Sequence, residues 1–150
     1  RQYNLSVGER SAEELKIRLG SAYPFPDEEE RKEEVRGRDQ VSGLPKNVVV
    51  TAEEIRQALR EPITTIVNAI RQVVEKTPPE LVADIMSQEI IMTGGGALLK
   101  GLDQLVAREL SMKVKLAEDP MACVVRGAGK TLEHLATLKR VLVGSKKSTR

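Results

Sequence analysis

The residues best suited to chemistry lie in Glu89-Ile90-Ile91-Met92-Thr93-Gly94-Gly95-Gly96-Ala97-Leu98-Leu99. A short apolar run ends in three consecutive glycines and passes at once into a helical pattern. A buried strand, a turn that needs positive φ or a close backbone approach, and a helix N-terminus leave that order in a sequence. Free N–H groups with no Cβ atoms in front of them suit a phosphate, a ribose or a base lying against the backbone. A tight strand-to-helix turn packed on its own sheet leaves the same letters, and the glycines alone do not separate the two. The second candidate is Glu13 with Lys16, an acceptor and a donor at helical spacing, whose plainer reading is a solvated helix face.

Other constellations fall away. Gly129-Lys130-Thr131 has the end of a phosphate loop, but Val124 stands where the earlier glycine belongs, and the segment reads as helix following helix. One histidine (His134), one cysteine (Cys123) and no HExxH leave no basis for a zinc site. His134 reads as a boundary residue among leucines, and Cys123, in an apolar run, as an inert core thiol. No Ser/His/Asp arrangement can be assembled with any specificity. Arg36-Gly37-Arg38 could hold an anion, but reads more simply as an exposed strand edge kept soluble by charge. The acidic run from Asp27 to Glu30 reads as solvated.

Composition narrows the classes. With 150 residues there is room for one domain with a real core or for two small lobes. Aromatic residues are 2%, so the core must be aliphatic and the stacking platforms of single-strand nucleic-acid binders are missing. A net charge of +2 is too small for a duplex-binding surface, and no nucleic-acid partner is expected. A single cysteine fits a reducing compartment. No apolar run approaches the about 20 residues of a membrane span. The opening Arg1-Gln2-Tyr3-Asn4 has neither an initiator Met nor an apolar leader, and reads as part of a longer chain.

The elements that must position the candidates follow from periodicity and caps. Ser11 with Glu14 predicts a capping box and a helix from Ala12 to the stop at Gly20, with Ala12, Leu15 and Leu19 on one face. Residues 34–38 and 46–50 read as paired strands, Val48 near Val35. Thr51 with Glu54 opens a long helix whose stripe runs from Ile55 to Val74, and Pro62 is expected to kink or split it. A short helix over 79–86 leads into the strand that carries the glycines. After Gly96 a helix is expected through Leu98, Leu102, Leu105, Val106 and Leu110, then a strand over 113–116. Asp119-Pro120 reads as a cap with proline at the first helical position, and residues 121–125 as a buried helix interrupted by Gly127 and Gly129. A last helix carries Leu132, Leu135, Leu138 and Leu142 before a basic, disordered end at Lys139, Arg140, Lys146, Lys147 and Arg150. Strands alternating with helices argue for an α/β fold. The first fifty residues form a small helix-plus-hairpin lobe, with the composition shifting at Thr51.

A resemblance sharpens this. Gly8-Glu9-Arg10-Ser11-Ala12-Glu13-Glu14-Leu15-Lys16, Gly20-Ser21-Ala22, Val35-Arg36-Gly37-Arg38-Asp39 and Gly43-Leu44-Pro45-Lys46 resemble the second half of MreB proteins, the bacterial actins that determine rod shape. So do Thr77-Pro78-Pro79-Glu80-Leu81, Thr93-Gly94-Gly95-Gly96-Ala97-Leu98-Leu99, Ala117-Glu118-Asp119-Pro120 and Gly127-Ala128-Gly129-Lys130. The likeness runs almost end to end, in order and with compatible spacing. It implies a partial actin-like (ribonuclease H-like) nucleotide-binding fold. Its portions are residues 1–51 as the small lobe, 52–128 as the larger α/β lobe with the glycine turn, and 129–150 as a C-terminal helix and tail.

The resemblance also implies that ATP's adenosine end lies between the helix at Glu13, Glu14, Leu15 and Lys16 and the turn at Gly94, Gly95, Gly96, Ala97 and Leu98. With the family in view, nucleoside contact becomes the preferred reading of Glu13 and Lys16. It further implies filaments of like subunits in the cytoplasm, at the inner face of the cell membrane, where they guide the cell-wall elongation machinery. The family's phosphate loops, its Mg²⁺-positioning aspartate and its catalytic glutamate have no match here, so this stretch alone is not expected to hydrolyse ATP. Arg126, where the family has an apolar or small residue, and Ala128, where Thr is usual, depart from the pattern. Two other classes stay open: a sugar- or acetate-kinase-type enzyme of the same superfamily, and a non-catalytic truncated filament partner.

Overall fold

The computed structural model describes residues 2–28 and 30–138. Leu142 and the basic residues from Lys139 onward lie outside them.

The first helix, α1 (Glu9–Leu19), begins earlier than the expected capping box. Gly8 is its N-cap, extended at φ −68° and ψ 152°, and makes no side-chain cap bond. The first helical bond runs from Ala12 N–H to Gly8 O at 3.0 Å. Ser11 therefore sits inside the first turn, and Glu14 pairs with Arg10 at 3.1 Å instead of reaching back to cap. Gly20 ends the helix as expected.

The hairpin forms in the expected register. Strands β2 (Lys32–Asp39) and β3 (Pro45–Thr51) are antiparallel, with Val35 opposite Val48. A two-residue strand β1 (Leu5–Ser6) adds on the other side, pairing Leu5 with Asp39 and Ser6 with Arg38. This makes β2 the central strand at Arg38 and Asp39, so the Arg38 end of Arg36-Gly37-Arg38 is not the open edge that its charge suggested. The turn is fixed by Asp39, whose carboxylate accepts from Val41 N–H and Ser42 N–H at 2.8 and 2.9 Å and pairs with Lys46 at 2.9 Å. These bonds, first that from Ser42, hold the Asp39 carboxyl well below the usual carboxylate range.

Helix α2 (Ala52–Lys76) opens on the expected capping box. Thr51 Oγ1 accepts from Glu54 N–H at 3.2 Å, and Thr51 N–H donates to Glu54 Oε2 at 2.8 Å. The Tyr3 hydroxyl also donates to Glu54, and this bond is the main reason that the Glu54 carboxyl is lowered and the Tyr3 phenol raised. Pro62 does not split the helix. It stands on the exposed face, where one turn can lose a backbone bond while Ile63 and Val67 stay anchored below it.

Two apolar clusters organise the chain, and α2 contributes to both. Ala52 and Ile55 join Leu19, Val35 and Val50 in the first. Leu59, Ile63, Val67 and Ile70 join Leu102 and Val106 in the second. After α3 (Pro79–Ser87), β4 (Ile90–Met92) pairs in parallel with β5 (Val114–Leu116), with α4 (Leu102–Leu110) between them in sequence. The strand before the glycines is only half covered, contrary to expectation: Ile91 is 66% exposed. Residues 121–125 are also not a buried helix. The chain turns over 118–122, and α5 (Cys123–Glu133) then passes unbroken through Gly127 and Gly129, with Val124 74% exposed. Asp119 supports that start through its bonds to Ala122 N–H and Arg126, offsetting glycine's low helix propensity. His134 ends α5 and is exposed, and a short α6 (Leu135–Leu138) follows. Cys123 is half-buried, its thiol directed at Asp119 O at 3.1 Å.

Candidate functional site

The glycine turn is held at its entry. Met92 O accepts from Ala117 N–H at 3.0 Å, and Pro120 O accepts from both Gly94 N–H and the Thr93 hydroxyl at 2.8 Å. The backbone then reverses at Gly94, whose φ of +87° is one that side-chain-bearing residues rarely adopt. Gly95–Leu98 form a single 3-10 turn with Ala97 buried and Leu98 exposed. The expected continuous helix from Gly96 is thus broken. A second positive-φ glycine, Gly101 at +74°, is the cap from which α4 starts.

The reason for three glycines is visible in what surrounds them. A Cβ added at Gly94, Gly95 or Gly96 would meet no atom within 4 Å, whereas one at Gly101 would lie 2.8 Å from Tyr23 Cβ. Gly95 and Gly96 are therefore not required by packing against this chain. Ala97 N–H and Leu99 N–H are used within the turn, donating to Gly94 O and Gly96 O at 3.2 Å. The amides of Gly95 and Gly96 have no hydrogen-bond partner among the described residues. Two unspent donors on residues with no side chains to obstruct them form a surface that can receive a polar ligand edge.

The four candidates on α1 diverge. Leu15 is half-buried and packs on the first core cluster. Glu14 turns toward β2, where it lines a groove of about 210 Å³ with Ser11, Arg18 and Arg36. Glu13 and Lys16 pair with each other at 2.6 Å on the solvent side. An exposed pair of this kind is worth at most about 1 kcal/mol, so a ligand can displace it at little cost. At 3.6 residues per turn, Glu13, Lys16 and Gly20 fall on one flank of the helix. Where that flank ends, Ala22 N–H donates to Lys100 O at 2.8 Å and Ser21 bridges Lys100, two residues beyond the 3-10 turn. The two candidate stretches are thus tied through a shared junction. Among the described residues no hydrogen bond joins Glu13 or Lys16 to Gly94–Leu98 directly. A larger cavity of about 490 Å³, lined by Tyr3, Leu5, Val35, Val48 and Ile55, lies in the first cluster and includes none of the glycines.

Sequence reasoning missed one functional-looking group. Glu28, read as part of a solvated acidic run, is 5% exposed. Its carboxylate accepts from Ser21 Oγ at 2.7 Å and from Arg56 Nε at 2.9 and 3.0 Å. Arg56 is distant in sequence, Ser21 lies across the loop at the end of α1, and nothing local distinguishes Glu28 from its acidic neighbours. For the Mg²⁺ that the resemblance implies, no group of three His, Cys, Asp or Glu side chains comes together among the described residues.

This arrangement, with two clusters spanned by one long helix and a parallel strand pair ending in an open glycine turn, is part of an actin-like fold. It superposes on MreB5 of Spiroplasma citri bound to ADP with a TM-score of 0.84 at 34% identity, covering 95% of this chain and 42% of that one. The same protein bound to AMPPNP gives 0.85. The MamK double helical filament, at 22% identity and a TM-score of 0.69, shares the fold. The chain belongs to the MreB/Mbl family, whose description matches residues 1–140. It is 49% identical over 140 residues to the cell shape-determining protein Mbl of Bacillus subtilis, and 47% identical over 135 to the cell shape-determining protein MreB of Escherichia coli K12. It covers 93% and 90% of itself in these matches but only 41% and 38% of the relatives' lengths. No helix among the described residues is long and apolar enough to cross a membrane.

Proposed function

We propose that this chain supplies one wall of an adenine-nucleotide site in a bacterial actin-like cytoskeletal protein. The observation that carries the proposal is the pair of unpartnered amides at Gly95 and Gly96, on residues where an added Cβ would meet nothing, in a turn that Pro120 O and Lys100 hold from either side. Gly94, Gly95, Gly96, Ala97 and Leu98 present backbone to the nucleoside. Glu13 and Lys16 exchange their mutual ion pair for hydrogen bonds to it, while Glu14 and Leu15 hold the helix that presents them. The nucleotide would supply a cleavable terminal phosphate. This chain's own residues grip only the adenosine end, and Mg²⁺ and hydrolysis belong to groups outside it. Nucleotide-bound relatives at 34% identity support the reading.

In this proposal the protein divides into a small lobe at 1–51, a larger one at 52–128 and a C-terminal part at 129–150; the passage of α2 from the first core cluster, at Ala52 and Ile55, to the second, from Leu59 on, supports a division near the first boundary. It assembles with copies of itself into filaments in the cytoplasm, on the inner face of the membrane, and directs cell shape through the wall-elongation machinery. The relatives' names as cell shape-determining proteins support that assignment. The test is equilibrium binding of a fluorescent adenine nucleotide, with competition by ATP and by GTP, followed by pelleting with and without ATP. Saturable binding that ATP displaces, together with ATP-dependent pelleting, is the expected result. No adenine-nucleotide binding, or turnover of a small-molecule acceptor by a protein that stays in the supernatant, would refute it.

A further inference from the structure

The segment between α1 and β2 is anchored at both ends, and one anchor is a buried charge. At its start Ser21 bridges Lys100, and Ala22 N–H donates to Lys100 O at 2.8 Å. In its middle Tyr23 and Phe25 close over Gly101, with the Phe25 ring 3.1 Å from where a Cβ would stand. Lys100 Nζ lies 4.2 Å from the centre of that ring. At its far end Glu28 is buried and accepts from Arg56 on α2 and from Ser21 at the segment's own beginning. A buried carboxylate is costly unless every lone pair it turns inward is satisfied. Here the bonds that satisfy it lead either to α2 or back to the residue that touches Lys100.

We propose that Glu28 is a positioning residue for the glycine turn. Through Ser21 it holds Ser21–Phe25 against Lys100 and Gly101, and so fixes the exit of the 95–98 turn as Pro120 O fixes its entry. Arg56 makes α2, the helix common to both clusters, the reference for that position. The role in ligand binding rests on the nucleotide reading above; the mechanical link does not.

Amide hydrogen exchange in the 150-residue chain separates the two. Glu28→Gln keeps a group of the same shape but loses the charge that grips Arg56. It is expected to speed exchange at Ala97 and Leu99 at least tenfold relative to Val106 in α4, and to weaken adenine-nucleotide binding about tenfold. The control Val50→Ala lowers the melting temperature through the first cluster and leaves the ratio of 97 and 99 to 106 unchanged. A uniform acceleration at 97, 99 and 106 in Glu28→Gln would overturn the proposal, because it marks global destabilisation. If the ratio shifts but the parent chain binds no adenine nucleotide, the nucleotide reading fails and the mechanical link stands. Where Glu28→Gln does not fold, Phe25→Leu loosens the segment's middle and must shift the same ratio; an unchanged ratio overturns the proposal equally.

Discussion

Replacing Gly96 by Ala should move stability and binding in opposite directions. Gly96 does not have positive φ, and a Cβ there meets nothing within 4 Å, so the new methyl fits the free chain without strain. Substitution at such a position stabilises by about 0.4–1 kcal/mol, chiefly by restricting the unfolded chain. For a protein of this size that raises the melting temperature by about 1–4 °C. The methyl nevertheless occupies the space in which a nucleoside must approach the Gly95 and Gly96 amides. Losing about 1.4 kcal/mol of that contact weakens binding tenfold. Gly94→Ala is the contrasting variant. Its φ of +87° makes any side chain strained, so the melting temperature should fall. The assay pairs a thermal melt with titration of a fluorescent adenine nucleotide into each variant. A Gly96→Ala protein that is as stable as the parent and binds nucleotide equally well would refute the reasoning, since the glycines would then serve no ligand.

Val106→Ala removes two carbons from the most enclosed aliphatic side chain of the second cluster. It should cost about 2 kcal/mol, at about 0.8 kcal/mol per buried carbon plus a residual cavity term, which urea denaturation will read as a lower midpoint at constant slope. The Asp39 carboxyl is lowered in the folded chain, so the stability it contributes is complete above its unfolded value of about 4 and is lost as pH falls through the lower folded value. Asp39→Asn, whose side-chain oxygen can still accept from Val41 and Ser42, should therefore show a shallower acid limb in a pH-dependent melt. Equal acid limbs would contradict the assignment.

Legibility from sequence followed the range over which each element is determined. The hairpin register and the Thr51–Glu54 cap depend on neighbours within a turn or on strict alternation, and both could be read directly. The glycine turn was legible as a turn, but its division into a 3-10 segment and a separately capped α4 depends on Tyr23 and Phe25 packing over Gly101. Strand β1 is two residues long and exists only because β2 offers it an edge. Ser11 and Glu14 matched a capping box by spacing, yet Gly8 starts the helix a turn earlier and Arg10 takes Glu14. Helix α5 crosses two glycines that read as interruptions, and the Asp119 bonds that support its beginning reach Ala122 and Arg126 only once the chain has turned. Glu28 was illegible because its ion-pair partner Arg56 is remote in the chain and its approach to Ser21 needs the intervening loop to fold back.

Backbone amide shifts of isotopically labelled protein, followed while adenine nucleotide is added, test the whole account most directly. The expected result is a set of saturable changes concentrated at Gly95, Gly96 and Ala97 and, across the junction, at Glu13 and Lys16. Changes confined to Val35, Val48 and Ile55 would place the ligand in the first-cluster cavity and contradict the account, as would no change at all.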